Sequence, residues 1–283
     1  MQSLSEIRAV LAERGLRPRR GLGQHFLHDK NQLVKLVEAA QLRAGDLVLE
    51  VGPGTGTLTE TLLDRGAEVV ACEIDADLAA IIADRFGDRV RLVHGDCLAR
   101  RRALSPRVTE MLAGRPFKLV ANLPYQIASP LICTLLLDHP GCRGQFVTIQ
   151  REVADRLLAP PGTKAYGALT IIVRVMADLE RIAVLKRTSF WPPPAVDSAM
   201  MRIVPAPERA VNDPAGLARF VTGLFSMRRK QLQTILGRRD RWPAGVTGRL
   251  RPEALTVEQV VEVWKEEGTR NEGRGTRPDK DQS

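Results

Sequence analysis

The chain has 283 residues, of which 44% are apolar, enough to fill the core of one domain or two, and its 42 basic and 33 acidic residues leave a net charge of +9. Its longest apolar run, Leu131 to Leu137, is interrupted by Thr134 and is too short to span a bilayer, so no membrane partner is expected. The four cysteines (72, 97, 133, 142) form no Cys-x-x-Cys pair and the four histidines (25, 28, 94, 139) have no ligand spacing, which argues for reduced thiols, no metal site and a cytoplasmic protein.

The first expected element is a short helix. Ser3-x-x-Glu6 has the form of a capping box, with Ile7, Val10 and Leu11 on one face. No secretory signal opens the chain, and Glu6 and Glu13 speak against an acid-poor transit peptide. A second helix carries Leu33, Leu36, Val37 and Ala40, opened by Asp29 and Gln32.

A buried strand, Leu47-Val48-Leu49-Glu50-Val51, then runs into Gly52-Pro53-Gly54-Thr55-Gly56, and Leu58, Leu62 and Leu63 predict a helix after it. Glycines at such a turn let the backbone approach a nucleotide closely. A dinucleotide fingerprint would need glycine or alanine where this chain has Thr57, so the loop does not call for a pyrophosphate. The next strand, Glu68 to Ala71, ends at Cys72-Glu73, which places an acid 21 residues beyond Gly52, suited to both hydroxyls of a ribose. A third, Val90 to Val93, ends at Gly95-Asp96, whose carboxylate suits the amino group of an adenine. Taken in this order, the three strand ends fit S-adenosylmethionine better than NAD.

A fourth strand, Lys118 to Ala121, leads into Asn122-Leu123-Pro124-Tyr125, with Ser129-Pro130 as the expected helix start. The tetrapeptide stands at a strand's carboxyl end, where open sheets bind ligands. The exocyclic amine of a nucleobase is a poor nucleophile because its lone pair is delocalised into the ring. The Asn122 amide oxygen and a proline-constrained carbonyl can accept that amine's protons, while Tyr125 stacks on the base. Gln145 to Ile149, Thr170 to Val173 and Met200 to Val204 read as later strands. Alternating strands and helices imply a largely parallel Rossmann-like α/β sheet with helices on both faces.

These residues resemble the rRNA adenine N6,N6-dimethyltransferases, nearest the bacterial small-subunit (16S) rRNA enzymes, over roughly residues 19–267. The resemblance rests on Gly23-Gln24-His25-Phe26-Leu27, Glu50 to Gly56, Glu73-Ile74-Asp75, Gly95-Asp96, Asn122 to Tyr125, Pro192 to Ser198 and Arg228-Arg229-Lys230. It implies cofactor contacts at His25, Leu27, Gly52, Glu73, Asp96 and Asn122. It implies target-base contacts at Asn122, Leu123, Tyr125 and Phe190, with S-adenosylmethionine as cofactor and small-subunit rRNA in an assembling particle as partner. Ala195 stands where the family usually has lysine, and the segment between Gly237 and Arg251 is shorter than usual. The proline run Pro192 to Pro194 would hold Phe190 opposite Tyr125, clamping an extruded adenine between two rings.

Charge adds an RNA surface. Between Arg219 and Arg251 there are nine basic residues against one acid, Asp240, so this segment carries +8 of the net charge. Arg228, Arg229 and Lys230 head it, and clusters at Arg17, Arg19, Arg20 and at Arg100, Arg101, Arg102 extend it. With aromatics at only 4%, a grip on folded RNA through its backbone fits better than a stacking platform. The expected organisation is a cofactor-binding domain over 1–205, a basic helical RNA-binding domain over 206–267 and a disordered tail over 268–283. Helical stripes at Leu217, Phe220, Val221, Leu224 and at Val257, Val260, Val261, Trp264, the latter opened by Thr256 and Gln259, form the second core. A monomeric enzyme is the expectation. The competing readings are a large-subunit rRNA methyltransferase conferring antibiotic resistance and a largely non-catalytic RNA-binding assembly factor.

Overall fold

The computed structural model describes residues 1–99, 103–206 and 211–274. Its chain order begins with α1 (Leu4–Glu13), β1 (Phe26–Leu27), α2 (Lys30–Ala39), β2 (Leu47–Val51), α3 (Thr57–Asp64), β3 (Glu68–Glu73), α4 (Ala76–Phe86) and β4 (Val90–His94). There follow α5 (Pro106–Leu112), β5 (Phe117–Asn122), α6 (Ala128–Asp138), β6 (Cys142–Gln150), α7 (Arg151–Leu157) and α8 (Ala168–Met176). The chain closes with β7 (Ala177–Leu185), β8 (Phe190–Trp191), β9 (Ser198–Pro205), α9 (Pro214–Ser226), α10 (Leu232–Leu236) and α11 (Val257–Arg274).

Seven strands form one sheet in the order β4-β3-β2-β5-β6-β9-β7. β2 to β6 are parallel, and β9 lies antiparallel between β6 and β7. Every residue of β2 is buried. Val48, Val69, Ala71 and Val120 share a core with Leu33, Leu36 and Leu62 of α2 and α3, while the alternate residues Leu47, Leu49, Val70 and Leu119 are buried on the opposite face. Burial of both faces is what turns the parallel strands into near-continuous apolar runs. The chain moves outward from β2 to β3 and β4, then returns across β2 to β5. That reversal opens a crevice at the carboxyl ends of β2 and β5.

The chain divides into two compact units, Met1–Asp155 with Ala177–Pro207, and Arg156–Met176 with Glu208–Ser283. This differs from a single boundary near residue 205, because Arg156–Met176 belongs with the C-terminal helices. The run Thr170-Ile171-Ile172-Val173, expected as a strand, lies in α8. Gly167 donates its N–H to Thr170 Oγ1 at 3.1 Å and accepts from the Ile171 N–H at 3.2 Å, which starts a helix. Its β-branched side chains are buried among helices α9 and α11, so packing overrides strand propensity. In the same unit, fully buried Tyr166 donates its hydroxyl to the Leu255 carbonyl at 2.8 Å and meets Phe225 edge-on at 6.0 Å. Residues 268–274, expected in a disordered tail, belong to α11, and 275–283 lie outside the described residues.

Caps anticipated from sequence are formed at three helices. Ser3 and Glu6 close the capping box of α1, Asp29 caps α2, and Thr256 and Gln259 exchange hydrogen bonds ahead of α11. The start of α6 differs, since Ala128 is its first residue and Ser129 and Pro130 fall inside the first turn. Proline is tolerated there because the first-turn N–H groups have no helical acceptor. No helix among the described residues is long and apolar enough to cross a membrane, and no cluster of three or more His, Cys, Asp or Glu could hold a metal.

Candidate active site

The crevice between β2 and β5 is built by glycines meeting larger residues. Gly52 follows β2 with φ +73, and a Cβ on it would lie 3.2 Å from the Pro124 ring. Gly54 has φ +61, and a Cβ there would lie 3.0 Å from the Phe26 ring. The glycine loop and Asn122-Leu123-Pro124-Tyr125 thus touch directly, and any side chain at these glycines would fill the space between them. The cleft they border is lined by Gly52, Gly54, Glu73, Asn122, Leu123 and Tyr125, with His25, Phe26 and Leu27 from β1 and the segment before it.

Glu73 ends β3 and is 4% exposed. Its carboxylate accepts the Asp75 N–H at 3.0 Å and the Gly54 N–H at 3.2 Å, so the acid that faces the cleft also braces the loop. Burial pushes its pKa up, and these backbone donors oppose the rise. Each carboxylate oxygen can accept two hydrogen bonds and takes one of these two, so both retain capacity for a diol. Asp75 in turn accepts from the Arg19 guanidinium at 2.9 Å and the Gln24 amide at 2.7 Å, tying the segment before β1 to the end of β3. Arg19, expected to extend the basic surface, is thereby held by Asp75 and Asp77, and Arg100 to Arg102 lie outside the described residues.

Asn122 ends β5. Its amide nitrogen donates to the His25 carbonyl at 2.9 Å, which leaves its oxygen as the acceptor. The Leu123 N–H donates to the Thr148 carbonyl at 3.1 Å, so the backbone stays in register with β6 one residue past the strand. Tyr125 is half-buried. Its hydroxyl bonds to Ser198 Oγ at 2.8 Å, and its ring stacks on His25 with centroids 5.7 Å apart. Burial raises the Tyr125 pKa, so it stays a neutral ring. His25 Nδ1 donates to the Pro192 carbonyl at 2.7 Å.

Two expected site residues stand apart from the cleft wall. Asp96 follows β4, exposed, with one carboxylate oxygen accepting the Leu98 N–H at 2.9 Å. Phe190 is 2% exposed and packs in the sheet's core, paired with Leu27 across the two-stranded β1–β8 ribbon. Its ring is packed in that core and not exposed to solvent. The proline run instead presents the Pro192 carbonyl to His25, and the ring stacked on Tyr125 is that histidine.

Glu50, which opens the glycine-loop motif, lines the cleft, is 1% exposed and accepts from Thr59 Oγ1 at 2.7 Å. Burial, with the like charge of Glu73 nearby, pushes its pKa up to about 8. An acid inside an otherwise apolar strand was the available signal. The Tyr125–Ser198 contact had no such signal, being formed 73 residues apart.

In the C-terminal unit, Arg229 and Lys230 are exposed after α9. Arg228, half-buried, makes two hydrogen bonds to Glu253 Oε2 at 2.9 and 2.7 Å and a third to the Lys164 carbonyl at 3.2 Å.

Comparison with known proteins places this arrangement in a lineage. The chain is 39% identical over 280 residues to Ribosomal RNA small subunit methyltransferase A of Levilactobacillus brevis, covering 92% of this chain and 94% of that protein. It is 39% identical over 250 residues to the protein of the same name from Geobacter metallireducens, covering 86% and 88%. Among solved structures, a dimethyladenosine transferase from Plasmodium falciparum matches with TM-score 0.73 at 25% identity, over 87% of this chain and 98% of that one. The 23S rRNA methyltransferase ErmE matches with TM-score 0.64 at 27% identity, over 85% and 98%. The family model described as ribosomal RNA adenine dimethylase matches residues 15–266, nearly the whole described chain, and to that family this chain belongs.

Proposed function

We propose that this chain transfers methyl groups from S-adenosylmethionine to N6 of two adjacent adenines near the 3′ end of small-subunit (16S) rRNA, giving N6,N6-dimethyladenosine. It does so as a cytoplasmic monomer acting on an assembling ribosomal particle. The observation that carries the reading is the meeting of the glycine loop, Glu73 and Asn122 on one cleft, with Leu123 and Tyr125 beside them. Support for the small subunit comes from the identity of 39% to relatives named for it, against 27% to a 23S enzyme.

The residues present fit the cofactor. Gly52 and Gly54 leave space that a Cβ would take, and Glu73 keeps acceptor capacity for a ribose. His25, Leu27 and Asn122 complete the wall, and Asp96 at the neighbouring strand end receives the adenine amino group. When bound, S-adenosylmethionine supplies a methyl group on a cationic sulfur that leaves as a neutral thioether, so the leaving group needs no metal or acid, and the acidic proton left on the methylated N6 is lost to solvent. Asn122 and the Leu123 carbonyl accept the N–H groups of the target amine and draw its lone pair out of conjugation. Tyr125 holds the base by stacking, its ring fixed by Ser198 and His25. Positioning of this kind supplies most of the acceleration. Arg229 and Lys230 contact RNA phosphates, while Arg228 acts on that surface by bracing Glu253.

Incubation with labelled S-adenosylmethionine and unmethylated small and large subunits, followed by mapping of the modified base, tests the reading. Label on adjacent small-subunit adenines is the expected outcome, and label confined to the large subunit overturns it.

A further inference from the structure

Gln2 is polar yet only 6% exposed. Its side-chain oxygen accepts two hydrogen bonds, from Thr55 Oγ1 and from Thr57 Oγ1, each at 2.8 Å. Thr55 belongs to the glycine loop and Thr57 is the first residue of α3, and both line the cofactor cleft. From the other side, the Arg85 guanidinium donates to the Thr55 carbonyl. The loop's hydroxyls and backbone are therefore held before any cofactor contact is made.

The helix that follows Gln2 grips the same loop a second way. Ile7 and Leu11 of α1 are buried against Phe26, Leu78 and Ile81. Phe26 is the residue against which Gly54 packs. Apolar packing alone would seat α1. A buried amide oxygen costs free energy unless its hydrogen bonds are made, and this one makes two to the loop.

We propose that Gln2 is a positioning residue for the cofactor cleft. By accepting from Thr55 and Thr57 it holds the Gly52–Gly56 loop in its receiving shape, so less ordering remains to be done on binding.

The test uses the full chain with Gln2→Met, which fills a similar volume without an acceptor. Calorimetry is expected to show S-adenosylmethionine binding weakened about threefold to tenfold, the effect of a net hydrogen bond or two. The KM for cofactor should rise in parallel, while kcat at saturating cofactor and RNA affinity stay at wild-type values. In cofactor-free protein, amide exchange over Gly52–Thr57 should quicken, and cofactor should restore protection. In a Thr55→Val, Thr57→Val background, Gln2→Met should add no further loss, since its partners are already gone. Wild-type affinity and wild-type loop exchange in Gln2→Met would overturn the proposal, as would a full further loss in the double-valine background.

Discussion

Asn122 has one acceptor to offer because its amide nitrogen is committed to the His25 carbonyl. Asn122→Ala is expected to lower single-turnover transfer by about 10²–10³ at saturating cofactor, the usual range for losing one preorganised polar contact in the transition state. RNA affinity should hold, and a rate within a few-fold of wild type would refute the assignment. Glu73 differs in kind, since it braces the Gly54 N–H as well as facing the cleft. Glu73→Ala should therefore weaken S-adenosylmethionine binding by roughly 1–3 kcal/mol, the range for hydrogen bonds to a charged group. Calorimetry on the folded variant checks it. Both positions were legible in sequence because each residue ends a strand, and a strand end fixes where a side chain sits. The burial of Phe190 was not legible, because its neighbours along the chain do not reveal that β8 pairs with β1.

Among the elements, the turn after α9 separates two kinds of basic residue that look alike in sequence. Arg229 and Lys230 are exposed, whereas Arg228 is tied to Glu253 and the Lys164 carbonyl. Charge reversal at Arg229 and Lys230 should reduce the salt dependence of RNA binding, each lost phosphate contact removing about 0.7–0.9 from the slope of log K against log salt. The melting temperature should not move. Arg228→Ala should instead destabilise the C-terminal unit by about 1 kcal/mol, since a partly exposed ion pair contributes little beyond that. Denaturant titration together with RNA binding distinguishes the two outcomes. The α8 segment teaches a related lesson: its β-branched run is helical because burial among α9 and α11 outweighs local preference.

At the scale of the whole molecule, one buried acid links the sheet to pH. Glu50 has its pKa raised from 4.5 to about 8 by burial. A raised carboxyl pKa favours folding while the group is protonated. Its contribution is full below pH 4.5 and is lost as pH climbs to about 8, with a slope of up to about 1.4 kcal/mol per pH unit. Glu50→Gln keeps an acceptor for Thr59 and should melt like wild type at pH 4.5 but above it at pH 8.5. Equal melting temperatures at both values would show that Glu50 does not titrate across this range. The sequence by itself determined the strands that lead into the glycine loop, the polar residues at or just past three strand ends and three of the helix caps, because these depend on short-range periodicity and spacing. Only the tertiary structure decided which rings face the cleft, which arginines are braced and that Gln2 reaches the glycine loop. Those contacts join residues far apart in the chain, where no local pattern records which side chain will meet which.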